Sequence, residues 1–176
     1  ETFETAGDVL DHNSIMERRE TYEHEVPKGG ICLTLSADVQ KDSLQTLVMA
    51  HGVKDEKWLI SADIIWGDPS EEYVWDELKK IILRPWSLHN GKEIPITAFF
   101  IDSGYLTPQV YKFCKLMQPH RVFATKGIGG QGRPAVGRPS RSNSQKLPVI
   151  PIGVNGLKEV LFNRLKVTEP GPAYIH

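Results

Sequence analysis

Residues 31–40 read Ile31-Cys32-Leu33-Thr34-Leu35-Ser36-Ala37-Asp38-Val39-Gln40, an apolar run with one acidic residue near its end. Side chains alternate between the two faces of a β-strand, so the odd-numbered residues would form an apolar face and the even-numbered ones a more polar face. A carboxylate at the end of a core-forming strand is costly unless a partner such as a metal ion stabilises it. The residues after Asp38 are also typical of a turn, in which aspartate is common. This stretch alone leaves both interpretations of Asp38 open, a metal ligand or a turn residue.

The composition is that of one globular domain. The chain has 176 residues, a formal net charge of −1 and two cysteines. This length allows one domain with a proper core, and the charge gives no global indication of nucleic-acid binding. Cys32 and Cys114 both lie in apolar surroundings, which predicts small core residues of a reduced intracellular protein. The sequence has no apolar run of bilayer length and no signal peptide at its start, and we expect it to be part of a longer polypeptide.

The order of apolar segments predicts a mixed sheet. Residues 1–27 are polar and predict a linker or arm from a preceding domain, and residues 28–176 predict the domain itself. Strands are predicted at 31–40, 44–51 and 57–66, and their short connections favour an antiparallel meander. A helix with an N-cap at Ser70 and a buried strand at 96–101 follow. The four tryptophans occur in such patterned segments, which predicts that they are core residues.

The second half of the chain alternates strands and helices. A helix capped at Thr107 is followed by a strand at 121–125, and an extended run at 147–154 precedes a helix that begins at Asn155. Strands joined through helices are parallel. The prediction is an α/β fold whose central sheet has three antiparallel strands followed by parallel strands, with helices on both faces. This is the RNase H-like arrangement.

Asp38 and Asp102 are the strongest candidates for chemistry. Each ends an apolar strand, and if the first and fourth strands are neighbours, the two carboxylates converge at one edge of the sheet. Converging carboxylates repel each other unless a cation lies between them, and oxygen ligands suit Mg²⁺ or Mn²⁺. Two such ions can hold the attacking and leaving oxygens of a phosphodiester. Glu159, on the predicted third helix, is a weaker candidate for a further metal ligand.

Residues 127–146 form a glycine-rich segment that predicts a flexible basic loop. The segment and the lysine before it contain five basic residues and no acidic one. We favour contact with the backbone of double-stranded DNA over the alternative of a solvated loop. A dinucleotide site is disfavoured because no helix follows the glycines. The predicted DNA-contacting residues are Lys126, Arg133, Arg138, Arg141 and Lys146.

Several motifs, in order along nearly the whole chain, resemble the nuclease domain of the large terminase subunit of tailed bacteriophages, in its lambda-like branch. They are LTLSADVQKD (33–42), WGDP (66–69), VWDEL (74–78), IDSG (101–104), KG (126–127), GRPS (137–140) and PGPAYIH (170–176). The resemblance implies an RNase H-like fold of the RuvC and terminase type. It also implies a metal-dependent endonuclease that cuts concatemeric phage DNA when genome packaging starts and ends.

The resemblance further implies residue roles and partners. Asp38 and Asp102 match the first two metal-binding acids of the family, and the third is expected in a helix beyond His176. Lys126 would stabilise charge in the transition state. The implied partners are an ATPase domain in the same polypeptide, the small terminase subunit and the portal, in the host bacterial cytoplasm and without a membrane. The alternative is a non-catalytic DNA-binding or assembly domain on the same scaffold.

Overall fold

The computed structural model describes residues 12–141 and 145–176. The first 11 residues of the predicted arm and residues 142–144 of the basic loop lie outside this description. The elements are α1 (His12–Met16), β1 (Cys32–Val39), β2 (Ser43–His51), β3 (Lys57–Trp66), α2 (Glu72–Leu83), β4 (Trp86–Ser87), β5 (Glu93–Ile94), β6 (Ile96–Asp102), α3 (Thr107–Leu116), β7 (Val122–Ile128), β8 (Val149–Gly153) and α4 (Val154–Leu165).

Six strands form one sheet in the order β3-β2-β1-β6-β7-β8. The β1–β2 and β2–β3 pairs are antiparallel, and the β1–β6, β6–β7 and β7–β8 pairs are parallel. This order confirms the predicted RNase H-like sheet. It makes β1 the strand at which the antiparallel half and the parallel half of the sheet meet.

One face of the sheet carries the hydrophobic core. On β1, Leu33, Leu35, Ala37 and Val39 are buried, as the alternating pattern predicted. Helices α2 and α3 cover this face with buried apolar residues spaced at helical intervals. The two helices also contact each other, because the ring centroids of Trp75 in α2 and Phe113 in α3 are 5.0 Å apart.

Helix α4 crosses the other face. It begins directly after β8, at one edge of the sheet, and its Arg164 forms an ion pair with Asp55, in the turn between β2 and β3 near the opposite edge. Because α2 and α3 occupy the first face, α4 lies on the second. No residue of α4 is buried, and apolar side chains such as Leu161, which is 47% exposed, remain open to solvent.

The end of the predicted arm packs against the domain. Val26 is fully buried and forms a β-bridge with Leu88. The Glu25 carboxylate accepts a hydrogen bond from the backbone N–H of Ser87 at 2.9 Å and pairs with Arg84. The Ser87 N–H and the Arg84 charge hold the pKa of Glu25 below its ordinary value. None of the helices in the described part of the chain has the length and apolar content needed to cross a bilayer.

Some local predictions were wrong. The N-cap of α2 is Glu71 rather than Ser70, because Asp68 Oδ1 accepts the Ser70 N–H at 2.8 Å in a turn before the helix. The β4–β5 hairpin was not predicted, since two residues per strand are too few to show a period. Trp66, at the end of β3, is 64% exposed, whereas the other three tryptophans are buried.

Candidate active site

Asp38 and Asp102 lie side by side at the end of two neighbouring strands. Ala37 of β1 is paired with Ile101 of β6 in the parallel register, and each aspartate is the next residue along its strand. Neighbouring strands are about 4.8 Å apart, so the two carboxylates leave the sheet at adjacent positions. Alternation directs both away from the core, because Ala37 and Ile101 are buried in it. The structure therefore brings together the two acids that the sequence singled out.

Both aspartates line an open cavity of about 680 Å³ on the face opposite the core. Its walls include Gln45 of β2, Phe100 of β6 and Thr125 of β7. Thr125 is paired with Asp102 in the β6–β7 register, and Gln45 is paired with Asp38 in the β1–β2 register. Residues of all six strands line the cavity, and Asp38 and Asp102 lie on the central pair, β1 and β6.

Each carboxylate has one oxygen held by a neutral donor. Gln40 Nε2 donates to Asp38 Oδ2 at 2.6 Å, and the backbone N–H of Gly104 donates to Asp102 Oδ2 at 3.0 Å. The loop after Asp102 is also fixed, because Ser103 is buried and its Oγ donates to the Thr125 carbonyl at 2.7 Å. The remaining oxygen of each aspartate carries no hydrogen bond from these donors.

This donor set fits a hard divalent cation. Mg²⁺ is commonly held by one or two carboxylates together with water and phosphate oxygens, and oxygen donors also suit Mn²⁺. Across residues 12–141 and 145–176, no three His, Cys, Asp or Glu side chains are grouped so that they could hold a metal ion. Asp38 and Asp102 could together bind such a cation, with water and phosphate oxygens completing its coordination.

Lys126 and Glu159 do not line the cavity. Lys126 is exposed on β7 and follows Thr125, which faces the cavity. Because side chains alternate along a strand, the Lys126 side chain leaves the sheet on the opposite face. Glu159 is exposed on α4. The roles predicted for these two residues stay predictions.

The basic loop folds back along β8. Val136 and Ser140 form antiparallel bridges with Ile152 and Val149, and the Gly137 N–H donates to the Pro151 carbonyl at 2.8 Å. The predicted basic residues of this segment all have exposed side chains. The loop therefore presents positive charge along β8, the strand whose Ile152 lines the cavity. These residues are Arg133, Arg138, Arg141 and Lys146.

The chain is similar to proteins of one known family. The family model described as "Terminase large subunit gpA, endonuclease domain" matches residues 1–176. The chain belongs to this family. It is 31% identical over 182 residues to the terminase large subunit of Escherichia phage lambda, an alignment that covers 100% of this chain and 28% of that protein. It is 29% identical over 174 residues to the terminase large subunit of Enterobacteria phage P21, covering 98% of this chain and 27% of that protein.

The chain thus spans less than a third of the length of these two curated relatives. No solved structure matches it significantly.

Gln40 and Thr125 are site residues that the sequence pattern did not indicate. The signal for Gln40 was its position two residues after Asp38, which places both side chains on one face of the strand. Thr125 gave no local signal, because only the pairing of β6 with β7 places it beside Asp102. Long-range register is not readable from a short sequence pattern.

Proposed function

We propose that this chain is a metal-dependent DNA endonuclease domain that cuts concatemeric phage DNA during genome packaging. The observation that carries the proposal is the placement of Asp38 and Asp102 at adjacent positions on β1 and β6, facing one open cavity. Membership of the terminase endonuclease family supports the same reaction.

The chain's own residues would bind the cation and position the DNA. Asp38 and Asp102 hold Mg²⁺ or Mn²⁺, which when bound supplies activation of water and stabilisation of charge on the phosphodiester. A two-ion site would be completed by the third acid that the family resemblance places after residue 176. The exposed basic side chains along β8 neutralise backbone phosphates without reading the base sequence.

The proposed context is a larger packaging protein. Both curated relatives are more than three times as long as their matched part, which supports an ATPase domain in the same polypeptide. The further partners that we propose are the small terminase subunit and the portal, and the proposed location is the host bacterial cytoplasm.

Plasmid nicking with Mn²⁺ or Mg²⁺ tests the proposal. We expect cutting by the wild-type chain and its loss, by a factor of at least about 100, in Asp38→Asn and Asp102→Asn, because each variant removes a charged oxygen ligand. Asp76→Asn is the matched control, since Asp76 is exposed on α2 across the sheet. Equal cutting by all four proteins would refute the proposal.

Lys126 can be tested in the same assay. We propose that its long side chain, although it leaves β7 on the face opposite the cavity, reaches past the end of the strand to the reacting phosphate. Lys126→Ala should then lower the cutting rate while leaving the Mn²⁺ affinity of the free protein unchanged. A lower Mn²⁺ affinity would place Lys126 in a structural role instead.

A second candidate is a non-catalytic DNA-binding or assembly domain. The observation that favours it is that, among the described residues, no three His, Cys, Asp or Glu side chains are grouped so that they could hold a metal ion. This candidate predicts salt-sensitive DNA binding that survives loss of both aspartates, without any metal-dependent cutting. Deleting residues 128–145 should then abolish binding.

A further inference from the structure

We propose that Gln40 is a positioning residue that fixes the Asp38 carboxylate for cation binding. The proposal rests on the proposed metal-dependent function. Gln40 Nε2 lies 2.6 Å from Asp38 Oδ2, and the two side chains leave β1 and the turn after it on the same face. Because an ionised carboxylate can only accept hydrogen bonds, the amide nitrogen of Gln40 must be the atom that faces it.

The backbone around Gln40 is held independently of its side chain. The Gln40 N–H donates to the Ser43 carbonyl at 2.9 Å, which closes the turn between β1 and β2. The Gly67 N–H donates to the Asp42 carbonyl at 2.9 Å, which ties the same turn to the end of β3. The amide donor is therefore presented from a fixed turn, and replacing the side chain removes none of these backbone bonds.

The chemistry of the donor matters as much as its position. A neutral amide occupies Oδ2 and leaves the negative charge of Asp38 for a cation at the other oxygen, whereas a lysine or arginine would compete with the cation. Asp102 is held in the same way, but by the backbone N–H of Gly104 at 3.0 Å. In both aspartates, one carboxylate oxygen accepts a hydrogen bond from a neutral N–H group. Only the donor to Asp38 belongs to a side chain and can be removed by substitution.

Both aspartates would consequently offer one oxygen each in a fixed direction. Mg²⁺ requires nearly ideal octahedral geometry, so the direction of each ligand oxygen affects affinity strongly. Loss of an outer hydrogen-bond partner of a metal ligand typically lowers metal affinity about 10- to 100-fold. We expect a loss of this size when the Gln40 amide is removed.

Calorimetric titration of the DNA-free chain with Mn²⁺ tests the proposal. Gln40→Met keeps the length of the side chain but removes the donor, and it should weaken Mn²⁺ binding about 10- to 100-fold. Gln118→Met is the matched control, because Gln118 is exposed between α3 and β7 and does not line the cavity. Its substitution should change Mn²⁺ affinity less than about 3-fold, below the lower end of the range expected for an outer partner.

Cleavage and melting measurements separate positioning from structural damage. In Gln40→Met, excess Mn²⁺ should restore the wild-type cutting rate, with unchanged KM for DNA and an unchanged melting temperature without metal. Wild-type Mn²⁺ affinity in Gln40→Met would overturn the positioning role while leaving the proposed function intact. Absence of Mn²⁺ binding and cutting in the wild type would overturn both.

Discussion

His51 lies half-buried at the end of β2, with its Nε2 2.8 Å from Thr34 Oγ1. Burial lowers the pKa of His51 below its ordinary value of 6.5, and the nearby positive charge of Lys57 lowers it further. The unfolded chain therefore binds this proton more readily than the folded one, so the contribution of His51 to stability falls as the pH drops through 6.5. Above that pH the contribution is fully present.

We expect the urea midpoint of the wild-type chain to fall between pH 7.5 and pH 5.5, and His51→Gln to reduce this fall. Glutamine cannot gain a proton in this range, so the penalty for charging a buried group disappears. His89→Gln, at an exposed histidine, serves as the control and should leave the pH dependence as it is. Identical pH profiles for the wild type and His51→Gln would contradict this account.

At the residue scale the sequence predicted the two acids but not their environment. Asp38 and Asp102 were recognisable because each ends an apolar run. Their convergence followed from the strand order, which the connection lengths indicated. The Gln40 amide and the orientation of Lys126 depend on side-chain rotamers and on sheet alternation at strand ends, which composition does not reveal.

The helices differ in how much they contribute to the core. Leu78 of α2 is fully buried, whereas Leu161 of α4 is 47% exposed. Truncating a buried leucine loses its transfer free energy and leaves a cavity, and this typically costs 2–5 kcal/mol. We therefore expect Leu78→Ala to lower the free energy of unfolding by about 3 kcal/mol and Leu161→Ala by less than about 1 kcal/mol. Urea denaturation measures both, and losses of equal size would show that α4 packs as tightly as α2.

At the element scale, the strands were predicted correctly where the alternation of apolar and polar residues extends over enough positions to be recognised. The strands at 31–40, 44–51 and 57–66 match β1, β2 and β3 to within one residue at each end. It failed where long-range contacts define an element, as at the two-residue strands β4 and β5. At Tyr174–His176 the structure has a single bridge, between Ile175 and Lys57 at the start of the edge strand β3.

At the scale of the whole molecule, the net charge of −1 conceals a positive surface along β8. If this surface binds DNA, replacing Arg138 and Arg141 with glutamine should weaken binding and reduce the slope of log affinity against log salt by about 0.9 for each lost phosphate contact. The control replaces two exposed lysines of α2 and α3, Lys79 and Lys112, with glutamine, for the same change in net charge. Equal changes of slope in both variants would show that overall charge, not this surface, drives binding.

The distribution of the tryptophans has an optical consequence. Trp58, Trp75 and Trp86 are 7%, 8% and 4% exposed, whereas Trp66 is 64% exposed at the end of β3. The first three rings would fluoresce from an apolar environment that is lost on unfolding, and Trp66 would fluoresce from water in both states. Iodide should therefore quench one component of the native emission, and Trp66→Phe should remove it. The fluorescence of Trp66→Phe would then come from the core tryptophans alone. The difference in emission between the wild type and Trp66→Phe would report on the end of β3.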